Sequence, residues 1–196
     1  MQMNGHEKQK EQSRQMIEEA LFALMKEKNY AQITISELTR RADVARRTFY
    51  RLYKSREDVL DVFLQKLCRV YREQYPVLTH YDVRQIAEEY FCFWYQYREV
   101  LLLMHENGLD PVLYYHLNCS ALEVIQGRMG RRAVSETDVE GSDRGAAPDT
   151  EYFAVYSAGG FCSLLFRWIG TGMIEPPRKY AAAVSDSILN FIKTAV

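Results

Sequence analysis

Residues 34–64 read TISELTRRADVARRTFYRLYKSREDVLDVFL, and the fold of the chain turns on this stretch. Thr34 with Glu37 three positions on is a capping box, in which hydroxyl and carboxylate each satisfy a backbone N–H that the first turn of a helix leaves unpaired. A helix therefore starts near Ile35. Ile35, Leu38 and Ala42 fall on one face at helical spacing while Arg40 and Arg41 point elsewhere, so this helix has an apolar floor. It stops around Asp43, with Val44 as an apolar plug in the break. Residues 46–53 make a second short helix with Phe49 and either Leu52 or Tyr53 turned inward, leaving Arg46, Arg47, Thr48, Tyr50 and Arg51 outside. Ser55 followed by Asp58 opens a third helix, along which Val59, Leu60, Phe63, Leu64, Leu67 and Val70 form an apolar stripe. Two short helices about a break, then a third, with arginine crowding the middle, is the pattern expected of a reader of duplex DNA.

Residues 42–57, ADVARRTFYRLYKSRE, resemble the helix-turn-helix signature of the TetR family of bacterial transcriptional regulators at most positions. Two positions depart from it. Asp43 stands where the family has a turn glycine, and aspartate tolerates a left-handed turn better than most residues. Ala45 stands where the family has a serine before its recognition helix; alanine is a poor cap, costing roughly 0.5–2 kcal/mol against serine. The free N–H groups at that helix start are expected to be satisfied by a DNA phosphate.

The resemblance implies an all-α fold: a three-helix DNA-binding head over residues 1–54, joined to a helical ligand-binding and dimerisation body over residues 55–196. Arg46 and Arg47 open the recognition helix, where a helix in the major groove presents its base-reading side chains, and arginine donates two bonds to guanine O6 and N7. Thr48, Tyr50, Tyr53, Lys54 and Arg56 are similar to the family's phosphate contacts, which set register and not sequence. Thr34 adds a phosphate contact to its capping role. Tyr53 serves either the phosphate or the core, and Arg51 either contacts DNA or is solvated.

Charge supports the same division. The chain has a net charge of -1, yet residues 1–56 carry twelve Lys and Arg against seven Asp and Glu, so a basic head is masked by an acidic body. A hydrophobic content of 47% excludes a disordered chain. No apolar run approaches the roughly 18 residues of a membrane span, and the polar start MQMNGHEKQKEQ does not read as a signal peptide, so a cytoplasmic location is expected. Cys68, Cys92, Cys119 and Cys162 lie far apart among apolar residues without a C-x-x-C pair, as buried reduced thiols do.

Elsewhere the chain reads as helix after helix. Residues 8–28 carry Ile17, Ala20, Leu21, Leu24 and Met25 as a core stripe and close the head. Pro76 ends the helix that leaves the head; helices follow over 82–98, from 100 to a stop at Gly108, and from the Asp110-Pro111 restart to about 129. Residues 133–149 are small, acidic and nearly free of large apolar side chains, which predicts a mobile surface loop. Residues 150–172 and 178–193 make the last two helices, broken by Pro176-Pro177.

Residues 152–181, with RWIGTGM at 167–173, resemble the C-terminal body of a TetR subfamily, in which the last two helices pair with their copies in a partner. This implies a homodimer. Glycine inside a helix costs about 1 kcal/mol against alanine, so Gly159-Gly160 needs a reason: close helix approach at that interface, or room for a ligand or a kink.

A small-molecule effector is suggested by composition. Tyr90, Trp94 and Tyr97 on one helix, with His105, Tyr115 and Tyr156 on neighbouring ones, suit a pocket for a flat or cationic molecule, or else ordinary core packing. His105, Glu106 and His116 lack the helical i, i+4 pairing of metal ligands, and no cofactor is called for. The leading reading is a transcriptional regulator, a homodimeric repressor released from a palindromic operator by its effector. A TetR-like protein-binding coregulator is the alternative, against which Arg46, Arg47 and Arg51 speak. An enzyme has no nucleophile–base pair, phosphate loop or metal cluster to rest on.

Overall fold

The computed structural model describes residues 5–75, 82–136 and 150–194, and these are helical with no strand among them. The helices are α1 (Gly5–Glu27), α2 (Ile35–Arg41), α3 (Arg46–Leu52), α4 (Arg56–Gln74), α5 (Val83–Tyr95), α6 (Arg98–Glu106), α7 (Asp110–Glu136), α8 (Thr150–Gly170) and α9 (Pro177–Thr194), with a single 3-10 turn at Tyr30–Gln32. Two compact units result. The head comprises Met1–Leu67 with Leu103–Leu109, and the body Cys68–Leu102 with Asp110–Val196. The head therefore reaches past the division expected at residue 54 and includes the last turn of α6.

Three helix ends share one chemistry. A helix leaves its final carbonyls without partners, and a residue in the left-handed region lets its own N–H and the next one fold back onto them. After α2, Val44 N–H donates to Thr39 O at 3.0 Å and Asp43 N–H to Arg40 O at 3.3 Å, with Asp43 at φ 52°. After α6 the same pair of bonds runs from Leu109 to Met104 and from Gly108 to His105, with Gly108 at φ 71°. After α8 it runs from Met173 to Trp168 and from Gly172 to Ile169, with Gly172 at φ 76°. Asp43 is thus the non-glycine member of the set, and the break in the helix-turn-helix is an ordinary helix termination.

The head is built on the stripe expected for α1: Ile17, Ala20, Leu21, Leu24 and Met25 are all buried. Leu38 of α2, Phe49 and Leu52 of α3, and Val59, Leu60 and Leu64 of α4 are buried with them. Phe22 meets Phe63 edge-on at 4.8 Å between ring centroids. Along α4 burial continues through Leu67, Cys68 and Tyr71, while Val70, expected in the stripe, lies off that face at 40% exposed.

In the body α5 packs along α9 and α7 along α8. Its keystone is Trp168, stacked between Tyr180 of α9 (4.8 Å, 6° between planes) and Tyr95 of α5 (5.5 Å, 17°). Tyr180 is held in place by a 2.8 Å bond from its hydroxyl to Leu164 O, so a polar tip is satisfied while the ring is used for packing. All four cysteines are free, Cys68 and Cys162 buried, Cys92 and Cys119 half-buried. Burial pushes the Cys68 thiol up to about 11 and the Cys162 thiol up to about 12, which keeps both protonated and unreactive at neutral pH.

Helix α7 runs seven residues beyond its expected end near Met129, to Glu136, and takes in the first residues of the predicted loop. The rest of that loop, 137–149, lies outside the described residues, as does Pro76.

The turn at Asp43 generates a stability prediction. An L-residue in the left-handed region costs roughly 1–2 kcal/mol that glycine does not incur, so Asp43→Gly should stabilise the chain by about 0.5–1 kcal/mol after the extra unfolded-state entropy of glycine. Urea denaturation read by circular dichroism checks this; an unchanged or lower midpoint refutes it.

Candidate nucleic-acid interface

The interface begins with how α2 and α3 are held. Thr34 caps α2 as its sequence predicts: Glu37 N–H donates to Thr34 Oγ1 at 3.3 Å, and Thr34 N–H donates to Glu37 Oε2 at 3.0 Å. The threonine hydroxyl also donates to Glu37 Oε2 at 2.8 Å, so its proton is committed inside the head. Lys28 Nζ bonds the other carboxylate oxygen at 2.6 Å. The Lys28 ammonium first, then the Thr34 N–H and hydroxyl, hold the Glu37 carboxyl down at about 2.

Helix α3 has no such help at its start. Ala45 is the N-cap with extended backbone (φ -64°, ψ 143°) and makes no side-chain cap bond. Its seven residues are positioned from beneath, by Phe49, Leu52 and Tyr53. This leaves Arg46, Arg47, Tyr50 and Arg51 exposed on the outer face, with Thr48 half-buried beside them and Lys54 exposed just beyond. Among the described residues no carboxylate pairs with Arg46, Arg47, Arg51 or the Lys54 ammonium, whereas Arg41 is paired with Glu27 at 2.9 Å and Lys28 with Glu37. A run of unpaired cations on one helix face is what a polyphosphate requires.

Two residues expected at the DNA are elsewhere. Tyr53 is 2% exposed and its hydroxyl donates to Glu18 Oε1 at 3.3 Å, so of the two uses open to it the core has it. Burial raises its pKa first, and the adjacent Glu18 carboxylate adds to that. Glu18 is itself raised by burial despite the nearby Lys66 ammonium. Arg56 is turned inward: one guanidinium nitrogen donates to Tyr30 O (2.7 Å), Ala31 O (3.0 Å) and Ile33 O (2.7 Å), Nε bonds Glu57 at 2.8 Å, and the group lies 4.5 Å above the Tyr30 ring. A guanidinium presents donors in a fixed plane and can gather carbonyls in this way, an arrangement that spacing along the chain does not reveal.

Of the residues expected to line an effector pocket, Tyr90 and Trp94 lie together at 6.3 Å between ring centroids and the others do not all join them. Tyr90 and Trp94 are fully enclosed in the body among Tyr71, Phe91, Phe93 and Phe161. Trp94 Nε1 has no acceptor among the described residues, and Tyr90 Oη faces the Cys162 thiol without an oxygen or nitrogen partner. Tyr97 is half-buried against Phe93 at 5.2 Å. His105 belongs to the head unit. Tyr115 and Tyr156 are 66% and 79% exposed, because α7 buries Leu113 and Leu117 and α8 buries Ala154 and Ala158, which turns a residue two positions on to the opposite face. In the head, a cleft of about 520 Å³ is lined by Leu24, Glu27, Lys28, Glu37, Arg40 and Arg41. Four of these charges already neutralise one another in the two ion pairs above.

Asn107 was not legible in the sequence. Its Oδ1 accepts from Tyr30 N–H at 2.7 Å and its Nδ2 donates to Leu103 O at 2.9 Å and Met25 O at 3.3 Å. Tyr30 and Met25 lie 77 and 82 positions back in the chain, so no local pattern announces them.

A helix-turn-helix with its outer face charged and unpaired, on a chain whose described residues are otherwise helical, makes the head a candidate DNA-reading surface. Residues 17–62 match the model of the bacterial regulatory proteins, tetR family. The HTH-type transcriptional regulator YxbF of Bacillus subtilis (strain 168) is 37% identical over 57 residues, 29% of this chain and 15% of that protein; the match thus spans only a small part of this curated relative's length. Over residues 17–62 the head is therefore similar to the DNA-binding segment of TetR-family regulators. Two solved structures share the fold over nearly their whole lengths. The dihydroxyacetone kinase operon activator DhaS has a TM-score of 0.61 and 16% identity, covering 93% of this chain and 97% of that one. The fatty acid degradation regulator FadR from Bacillus halodurans has a TM-score of 0.60 and 15% identity, covering 95% of each.

Arg56 provides the prediction. Arg56→Ala removes bonds to three carbonyls and should destabilise the chain by about 2 kcal/mol, while the salt dependence of DNA binding stays as in the wild type because no phosphate contact is lost. Paired urea and salt titrations check it; a shallower salt slope with unchanged stability would place Arg56 on the DNA after all.

Proposed function

We propose that the chain is a cytoplasmic repressor that binds a palindromic operator as a homodimer and leaves it when a small molecule occupies the body. The observation that carries the DNA part is the outer face of α3, where Arg46, Arg47 and Arg51 stand exposed and unpaired over a core-anchored helix. Arg46 and Arg47, in its first turn, read base edges; Thr48, Tyr50, Arg51 and Lys54 hold phosphates and set the register. A basic head on an acidic body keeps the rest of the chain off the duplex.

The dimer reading rests on α8. Its outer face exposes Tyr152, Phe153, Val155 and Tyr156, more apolar surface than an isolated helix face usually shows to water. At Gly159 and Gly160, apart from the adjoining residues and backbone of α8 itself, no heavy atom of the described residues lies within 4 Å of where a Cβ would stand. These glycines therefore do not accommodate a neighbour in the same chain, which supports close approach by the α8 of a second copy. For the effector, Tyr90 and Trp94 supply donors in an aromatic interior, and Tyr97 lies alongside, so a flat ligand carrying acceptors fits that chemistry once the interior opens.

Selection of genomic fragments by the purified full chain tests the DNA reading. One dominant palindrome is expected, with a log affinity falling against log salt by about 0.9 per phosphate neutralised; enrichment of no sequence would sink it. On the selected site Arg47→Ala should lose about 1–3 kcal/mol of discrimination at one half-site position and little elsewhere. Gly160→Leu tests the dimer: the fold has room for the side chain, and helix propensity even improves by about 0.8 kcal/mol, yet sedimentation velocity should show monomers. A dimer of wild-type strength would remove α8 from the interface.

A further inference from the structure

Inside the head, α3 is tied to α1 by a hydroxyl on a carboxylate. Tyr53, the residue that closes α3, donates through Oη to Glu18 Oε1 of α1 at 3.3 Å. The charged groups that face Glu18 are Glu11 and Arg14 of α1 and Lys66 of α4. Both cations lean on Glu11, Lys66 at 3.0 Å and Arg14 at 3.7 Å, which leaves the half-buried Glu18 carboxylate to the tyrosine. From Tyr53 the contacts run on through α3: its ring lies 5.9 Å from that of Phe49, and Phe49 meets Tyr50 edge-on at 5.5 Å. Tyr50 is 54% exposed, so a chain of contacts that starts at a carboxylate within the head ends on the outer face of the reading helix.

We infer that Glu18 is a positioning residue for the reading helix: through the Tyr53 hydroxyl it fixes where Tyr50 stands, and with it the register in which Arg46 and Arg47 meet base edges. Phe49, Leu52 and Tyr53 hold α3 by apolar burial, which is non-directional and does not by itself fix a seven-residue helix along its axis. A hydrogen bond has a direction, and a recognition constellation tolerates only about 0.5 Å of misplacement. The effect therefore falls on discrimination between sequences and not on affinity for duplex in general, which phosphate contacts supply. Burial raises the Glu18 pKa above the ordinary carboxylate range despite the Lys66 ammonium. A neutral carboxyl accepts a weaker bond than a carboxylate, so mild acid loosens the anchor. The same protonation stabilises the head, because the folded chain holds this proton more tightly than the unfolded one, so a loss of discrimination in acid is not melting.

The inference rests on the operator reading above, and the preference of the full chain for its selected operator over an unrelated duplex, at neutral and at mildly acidic pH, tests it. Tyr53→Phe keeps the ring and its burial and removes only the hydroxyl. Its operator preference should fall about fivefold or more, with affinity for the unrelated duplex, salt slope and melting temperature near those of wild type. Glu18→Ala should lose as much, and the two together no more, because one interaction is then removed twice. Glu18→Gln, a neutral acceptor, should lose about twofold, and acid should bring wild type to that level while leaving the glutamine variant where it stands. Undiminished preference in Tyr53→Phe overturns the inference, as do additive losses in the double variant, an equal loss on both duplexes, or a wild-type preference indifferent to acid. If wild type selects no sequence at all, the function proposed above falls and the inference with it; if it selects one and the variants discriminate as it does, only the inference falls.

Discussion

A helix of seven residues is not stable in water by itself, because forming its first turn costs more order than its few hydrogen bonds return. Helix α3 is such a helix, and it lacks even a side-chain cap. Its existence depends on the burial of Phe49, Leu52 and Tyr53 against the rest of the head. That burial orients the outer face: once those three side chains are inward, the 100° step of the helix leaves Arg46, Arg47, Tyr50 and Arg51 no direction but outward. Tyr53 also closes the helix, with extended backbone and its N–H on Phe49 O, so the residue that ends the reading helix is the one that pins it.

Much of this was legible because the signals are local. The Thr34–Glu37 box, the left-handed turn at Asp43, the poor cap at Ala45 and the stripe on α1 are properties of residues within one or two turns of each other, and each stands in the structure as the spacing predicts. Misreadings arose where side-chain length outruns the local pattern. Arg56 reaches carbonyls 23 to 26 positions back in the chain, and Tyr53 a carboxylate 35 positions back. A family motif records that these residue types recur, and both the outward and the inward use satisfy it. The aromatic residues are parted for a related reason: Tyr115 and Tyr156 share composition with Tyr90 and Trp94, but their helical phase sends them to the opposite face.

The same accounting explains why the head needs so many arginines. Three fates are visible within the sixteen residues from Arg41 to Arg56. Arg41 neutralises Glu27 on the surface, an exposed pair that contributes little to stability. Arg56 is 23% exposed at its side chain and stabilises three main-chain carbonyls of the Tyr30–Gln32 turn and its exit. Arg46, Arg47 and Arg51 have no partner in the described chain. Only the third group counts toward binding a phosphate backbone, since a cation already paired has no counterion to release.

Formal charge therefore overstates what the head offers to DNA, and the distinction decides which residue types can stand at each place. A lysine in place of Arg47 would keep the charge and most nonspecific affinity but lose the planar pair of donors that matches a guanine edge. A lysine in place of Arg56 would keep a donor but could not reach three carbonyls in one plane while lying over the Tyr30 ring. Arginine is required at both places for the geometry of its fork, outward in one case and inward in the other. The burial of Phe49 and Tyr53 on one side, and the Tyr30–Gln32 turn on the other, decide which of the two each arginine does.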